Sequence, residues 1–223
     1  EYLEHLLRYD ADIVIGGVKI LSPREKAIAY EDVICTVDDA APYIQRNLYT
    51  TPMATPWAKL FKRQIIIEEH LLFDNRIKYT EDTIFLFEYM SHCKTFAFIS
   101  ATDYCYFYNG QQKYSMGNED IVFRANRMIK AYDALRDHCK LGDGWQTTQL
   151  HKILKLIILN ERQKPFSILG YSDFKDTILG LPDLKKYYPN CAKPNFLYKL
   201  LRDEHFLVAF FIIRFILQFV KIK

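Results

Sequence analysis

The sequence predicts an α/β fold followed by an all-helical C-terminal region. Residues 11–21 form a continuous apolar run that ends at a Ser-Pro turn signal, which is typical of a buried strand. Residues 95–99 and 103–109 alternate in the manner of strands. In the second half of the chain the apolar residues recur about every 3.5 positions, which indicates amphipathic helices. We therefore expect two domains, 1–116 and 117–223.

Local signals place the remaining elements of the first domain. Asp38 or Asp39 is expected to cap a helix that runs to Leu48, with Pro42 in its first turn. Thr80 is placed to cap a helix that starts at about Glu81 and ends at about residue 92. The other expected elements, in chain order, are the end of a helix over residues 1–9, an irregular loop over 52–63 that enters a brief strand, and a short helix over 64–70.

The second domain is predicted to begin with two long helices. The first spans 121–139, and Gly142 is placed to terminate it. The second runs from about Trp145 to about Arg162 and has one apolar face, formed by Leu150, Ile153, Leu154, Ile157 and Ile158.

Composition excludes several classes of protein. Half of the 223 residues are hydrophobic and 15% are aromatic, which suffices for a packed core. Thirty Lys and Arg residues against 27 Asp and Glu residues leave a net charge of +3, far too small for a nucleic-acid binder that depends on counterion release. The five cysteines are scattered without metal-binding spacing and indicate reduced, mostly buried cytosolic thiols. No signal sequence is present at the start. Because the chain begins at Glu1 without an initiator Met, we expect a fragment of a longer protein.

Two adjacent carboxylates, Glu81 and Asp82, stand where the helix after Thr80 begins. The macrodipole and the unpaired N–H groups of a helix start favour anions, so the pair has an explanation that involves no function. The alternative is that the helix end keeps one carboxylate ionised and turned outward, where it accepts a proton from a hydroxyl group. The spacing alone leaves both alternatives open.

An ordered series of residues carries a resemblance to a known family over about residues 10–116. The series reads W-x-K-L-F-K-R, F-D, K-Y-x-E-D-x-x-F, Y-x-Y and S, and it consists of Trp57, Lys59, Leu60, Phe61, Lys62, Arg63, Phe73, Asp74, Lys78, Tyr79, Glu81, Asp82, Phe85, Tyr106, Tyr108 and Ser115. It resembles the C-terminal half of family 2 glycosyltransferases, inverting nucleotide-sugar enzymes of the GT-A fold. The resemblance implies a partial GT-A-like sheet on the acceptor side, without the N-terminal half that binds the nucleotide.

The resemblance also implies a mechanism and roles for the carboxylates. In such an enzyme an acceptor hydroxyl attacks the anomeric carbon from the face opposite the nucleoside diphosphate, with Asp82 as the general base and Glu81 orienting the acceptor or the base. Mg²⁺ or Mn²⁺ is expected for the full-length enzyme, bound by an upstream Asp-x-Asp motif. Asp10-Ala11-Asp12 has this letter pattern but precedes an apolar strand instead of following one. We therefore expect no metal on this fragment, and no activity from the fragment alone.

Three further residues are expected to bind donor or acceptor. Trp57 offers an apolar face to a sugar ring, and Lys59 is placed to meet a diphosphate or an acceptor hydroxyl. A core tryptophan beside a solvated lysine explains the same two residues equally well. Tyr108 shares a strand face with Tyr104 and Tyr106, where packing is the simpler role and substrate contact the alternative.

The C-terminal tail is basic and apolar. Residues 181–223 hold eight Lys and Arg residues against three Asp and Glu residues. The apolar stretch 206–220 is shorter than the roughly 20 residues of a spanning helix. Arg214, Gln218 and Lys221 form one narrow polar stripe, so the wide apolar face is expected to pack within the protein, against a second copy, or on an anionic membrane surface.

The resemblance leads us to expect a bacterial, cytoplasmic transferase of polysaccharide biosynthesis, a glycosyltransferase of the hexosyltransferase type. It would transfer a sugar, with inversion, from a nucleotide-diphosphate donor to a hydroxyl of a glycan or lipid-linked acceptor. Peripheral attachment to the inner face of the cell membrane and a homo-oligomer are options, and no nucleic acid is expected as a partner. The alternative is a non-catalytic interaction or membrane-docking module, in which Glu81 and Asp82 only cap a helix.

Overall fold

The computed structural model describes residues 8, 10–21, 25–50, 52–107, 120–163, 167–187 and 196–216. Two small mixed sheets with helices occupy the first half, and the second half is helical, so the predicted mixed α/β class and the helical C-terminal region are confirmed. The chain divides into two compact units. The first contains 1–119 and 130–142, and the second contains 120–129 and 143–223.

The strands of the first unit form two sheets. The described strands are β1 (Ile13–Ile15), β2 (Val18–Leu21), β3 (Lys26–Ile28), β4 (Val33–Thr36), β5 (Lys59–Phe61), β6 (Thr95–Phe98) and β7 (Tyr104–Phe107). The first sheet has the order β4-β6-β1-β5, in which β1 is parallel to β6 and antiparallel to β5. The second sheet has the order β3-β2-β7, in which β2 is parallel to β7 and antiparallel to β3.

The apolar run 11–21 is two strands, so the prediction of a single strand was wrong. The run breaks at Gly16-Gly17, and its halves β1 and β2 belong to different sheets. A Cβ atom on Gly17 would lie 2.4 Å from the carbonyl oxygen of Ile28, so only glycine fits where the chain passes from one sheet to the other. Apolar residues signal burial, and burial alone does not show where a strand changes its partners.

The first unit also contains helices α1 (Ala41–Asn47), α2 (Arg63–Glu68) and α3 (Glu81–Met90), and a 3₁₀ turn at Pro52–Ala54. The predicted helices, the loop over 52–63 and the position of Pro42 in a first turn are confirmed. The predicted cap of α1 was wrong, because Ala40 occupies that position. Asp39 instead accepts a hydrogen bond from Thr36, and Asp38 pairs with Lys140 at 2.8 Å.

The second unit is built from helices. They are α4 (Ile121–Cys139), whose second half belongs to the first unit, α5 (Gly144–Gln163), α6 (Ile168–Gly180), α7 (Leu184–Tyr187), α8 (Phe196–Arg202) and α9 (Phe206–Phe211), which continues as a π-helix over Ile212–Ile216. The two long helices predicted from periodicity are confirmed. Among the described residues, no helix combines the length and the apolar character needed to cross a membrane. The expected helix end over residues 1–9 lies outside the described residues, except for Arg8.

Candidate functional site

The predicted catalytic residues lie at the carboxyl end of the parallel strands β1 and β6. Tyr89, in the last turn of α3, donates its hydroxyl to the carbonyl of Asp12, which immediately precedes β1, at 2.6 Å. The last turn of α3 therefore lies at the amino end of β1. At the other end of β1, Ile15 pairs with Lys59, whose ammonium donates to the carbonyl of Thr55. Thr83, in the first turn of α3, donates to Ala54 in the same loop, which places that turn near the carboxyl end of β1. The carboxyl ends of parallel strands are where open α/β sheets bind ligands.

Asp82 occupies the first turn of α3 and is partly buried. The described residues offer its carboxylate neither a hydrogen bond nor an ion pair. Burial raises the pKa of Asp82 above its usual range, because desolvation disfavours the charged form. A carboxylate with a raised pKa is a stronger base toward a hydroxyl proton than an exposed aspartate. Glu81 is partly buried beside it, and successive helix residues point about 100° apart, so the two carboxylates face different directions.

Thr80 begins α3 in an unusual conformation. Its φ of 71° is left-handed, which is a strained conformation for a β-branched residue. The predicted cap position is correct, but the capping hydrogen bond is absent, and the buried Thr80 hydroxyl has no hydrogen-bond partner among the described residues. The side chain of Thr80 therefore provides no hydrogen-bond acceptor for the backbone amide groups in the first turn of α3, where Asp82 lies.

The loop Pro52–Trp57 packs against the start of α3. Thr83 donates its hydroxyl to the carbonyl of Ala54 at 2.8 Å. This hydrogen bond joins the turn that carries Glu81 and Asp82 to the loop that carries Trp57. The sequence contained no signal for this contact, because a backbone carbonyl accepts in the same way whatever residue bears it.

Lys59 is buried, with 8% of its surface exposed. Its ammonium group donates to the carbonyl oxygens of Pro52, Thr55 and Trp57, the last two at 2.6 and 3.3 Å. Burial lowers the pKa of Lys59 to about 7, because the low-dielectric interior disfavours the ammonium form. No described carboxylate forms an ion pair with it. The structure therefore turns this side chain toward the backbone of the Pro52–Trp57 loop.

Trp57 lies against two tyrosines of β7. Its ring stacks on Tyr106 with the centroids 4.7 Å apart, and it is tilted against Tyr104 at 5.2 Å. Both tyrosines contact the same indole, which confirms that they share one face of the strand. Tyr108 and Ser115 lie outside the described residues.

A cleft of about 440 Å³ opens at the amino end of β1, away from Asp82, and includes Asp10, Asp12 and Lys62 in its lining. Asp12 accepts hydrogen bonds from the backbone amides of Lys94 and Thr95, at 2.7 and 3.1 Å. The Lys62 ammonium lies 2.8 Å from Asp10 and 3.4 Å from Asp12. Both Asp12 oxygens already have protein partners, so this Asp-x-Asp does not fit a divalent cation. The described part of the chain contains no group of three or more His, Cys, Asp or Glu side chains arranged to hold a metal.

Comparison with known proteins gave no assignment: neither a protein-family model nor a curated protein matches this chain.

Proposed function

We propose that this chain is the acceptor side of an inverting, GT-A-like glycosyltransferase, with Asp82 as its general base. The observation that carries the proposal is the state of Asp82. It is a partly buried carboxylate with a raised pKa and no partner among the described residues, at the carboxyl end of β1 and β6. The resemblance of the series Trp57 to Ser115 to family 2 glycosyltransferases supports the same assignment.

The proposed reaction is a single displacement. The acceptor hydroxyl donates its proton to the Asp82 carboxylate while its oxygen attacks the anomeric carbon of the donor sugar. The bond between that carbon and the diphosphate breaks, and the diphosphate leaves with the electron pair on the opposite face. Trp57 supplies a stacking surface for a sugar ring, Glu81 orients the acceptor, and Tyr108 is retained as a substrate contact. The Mg²⁺ or Mn²⁺ that the resemblance implies is expected outside the described residues, because Asp10 and Asp12 already have protein partners, so no step is assigned to a metal here.

The proposed setting is bacterial polysaccharide biosynthesis at the cytoplasmic face of a membrane, with a glycan or lipid-linked acceptor. Helix α9 exposes Leu207, Val208 and Phe211, with 52%, 51% and 46% of their surfaces accessible. The basic character of 181–223 complements an anionic lipid surface. Exposed apolar side chains near a basic segment favour a peripheral membrane contact.

The decisive experiment compares carboxylate variants of the enzyme that contains this chain. Asp82→Asn keeps the shape of the side chain but removes the base, so it should lower kcat by a factor of about 10² to 10⁴. Transfer is measured as nucleoside diphosphate released from a panel of nucleotide sugars, and far-UV circular dichroism checks the fold. Glu88→Gln, later on the same helix, is the matched control and should retain activity. The acidic limb of the wild-type pH–rate profile should have its midpoint above the usual aspartate range, as the raised pKa of Asp82 requires.

Unchanged transfer by Asp82→Asn would show that the base assignment is wrong. In that case Glu81 and Asp82 serve only the helix start, as in the non-catalytic alternative.

A further inference from the structure

The buried side chain of Lys59 forms hydrogen bonds with three residues of the Pro52–Trp57 loop. An ammonium group has three N–H donors, and Lys59 directs them to the carbonyls of Pro52, Thr55 and Trp57. These are all the hydrogen bonds that the described residues give its nitrogen. A ligand would therefore have to displace one of these carbonyls to bind Lys59 directly. The geometry argues against a direct contact between Lys59 and a diphosphate or sugar.

The segment that Lys59 holds is strained. Ala58 has a φ of 57°, in the left-handed region that L-residues other than glycine rarely adopt. Its carbonyl accepts a hydrogen bond from the Gly16 amide at 2.9 Å, which ties the end of the loop to the sheet. A strained turn keeps its shape only where its surroundings fix it.

The loop is linked to the proposed base through a second hydrogen bond. Thr83, the residue after Asp82, donates to Ala54 at 2.8 Å. The chain of contacts therefore runs from Lys59 to the loop carbonyls, and from the loop to the first turn of α3. Trp57 lies at one end of this chain and Asp82 at the other.

We propose that Lys59 is a positioning residue, which fixes the Pro52–Trp57 loop so that the indole of Trp57 keeps its place relative to Asp82, without itself touching the substrate. The positioning of an acceptor sugar rests on the function proposed above. The fixing of the loop does not, and it can be measured without any activity.

The test uses Lys59→Met, which keeps the length and apolar stem of the side chain but removes its donors. In a Trp145→Phe background Trp57 is the only tryptophan, because the chain contains two. Acrylamide quenching of its fluorescence should increase about two- to threefold, because a released loop moves on the nanosecond-to-microsecond scale. In the enzyme, KM for the acceptor should rise about tenfold while kcat changes less than about threefold, since the base is untouched and binding is what is lost. Lys62→Met, at the other end of β5, is the matched control and should change neither quantity.

If Lys59→Met leaves both the quenching and KM at wild-type values, the positioning role is overturned. It is likewise overturned if kcat falls while KM is unchanged, because that pattern belongs to a group acting in the transition state. Should Lys59→Met fail to fold, Thr83→Val removes the second attachment of the loop. It must then raise acrylamide quenching, or the inference fails. Increased quenching by Lys59→Met together with unchanged transfer by Asp82→Asn would overturn the proposed function and leave the loop attachment standing.

Discussion

The second unit contains a buried ion pair, and the loss of one partner should lower the free energy of unfolding. Glu161 on α5 and Arg214 in the π-helix are 3.0 Å apart, with 6% and 3% of their side chains exposed. The Arg214 guanidinium also lies 5.1 Å from the centroid of the Phe210 ring. Its Nε and Nη1 atoms are buried and have no hydrogen-bond partner within the described residues. Arg214 therefore depends on Glu161 for the compensation of its charge.

The substitution Glu161→Gln removes that compensation and keeps the shape of the side chain. Removing one partner of a buried pair costs about 3–5 kcal/mol, because it leaves the other charge buried and unpaired. The cation–π contact with Phe210 is worth about 0.5–2 kcal/mol and remains in the variant, so it does not replace the lost charge. We expect the free energy of unfolding to fall by about 3 kcal/mol, a large fraction of the 5–15 kcal/mol typical of a folded protein.

The assay is urea unfolding followed by the fluorescence of Trp145, which is buried in the second unit, in a Trp57→Phe background. Lys185→Gln is the control, because it breaks the exposed pair with Glu204 and should cost less than about 1 kcal/mol. The double variant Glu161→Leu/Arg214→Met replaces both charges by apolar groups and should return to within about 1 kcal/mol of wild type. A loss below about 1 kcal/mol for Glu161→Gln, or a double variant as unstable as the single one, would show that Arg214 does not depend on Glu161.

Two further predictions follow from the pKa of Lys59 and from the surface of α9. Burial lowers the pKa of Lys59 to about 7 from 10.5, so between these values the unfolded chain binds one proton more than the folded chain. Because of Lys59, the free energy of unfolding should therefore rise with pH, by up to about 1.4 kcal/mol per pH unit between about pH 7 and 8.5. In urea unfolding, Lys59→Met should lack this pH dependence. Equal pH dependence in the wild type and the variant would contradict the lowered pKa of Lys59. Leu207→Glu combined with Val208→Glu should reduce flotation with phosphatidylserine-containing vesicles about tenfold, whereas unchanged flotation would exclude this surface as the membrane contact.

The long helices were predictable from sequence because each has a periodic apolar face and a clear start or stop. Helix α3 begins at Glu81, as the pattern after Thr80 predicted. Strands β3 and β4 were not predicted. They have only three and four residues, and neither has a fully buried side chain, so their hydrogen-bond partners decide where they form.

The candidate site was predictable in its residue types but not in its contacts. The hydrogen bond from Thr83 to Ala54 brings together the loop and the helix start that contain the residues from Trp57 to Asp82, but their proposed roles stay a prediction. The burial of Lys59 could not be predicted, because its three hydrogen-bond acceptors are backbone carbonyls. Every residue has a backbone carbonyl, so the sequence does not indicate which of them accept. The left-handed conformations of Ala58 and Thr80 were hidden for a related reason, since glycine or asparagine normally marks such positions.

One carboxylate lies at each end of the first sheet, and the two differ in their contacts. These contacts decide which carboxylate is the candidate catalytic base. At the amino end, Asp12 is 8% exposed and accepts from two backbone amides and from Lys62, so its charge is used to join β1, β5 and β6. At the carboxyl end, Asp82 is partly buried, which raises its pKa, and the described residues give its carboxylate no hydrogen bond and no ion pair. A partly exposed carboxylate without a protein partner is open to water or to a hydroxyl of a ligand. The acceptor hydroxyl of the proposed reaction would be such a ligand, so we propose the proton transfer at Asp82 and assign a structural role to Asp12, which has protein partners on both oxygens.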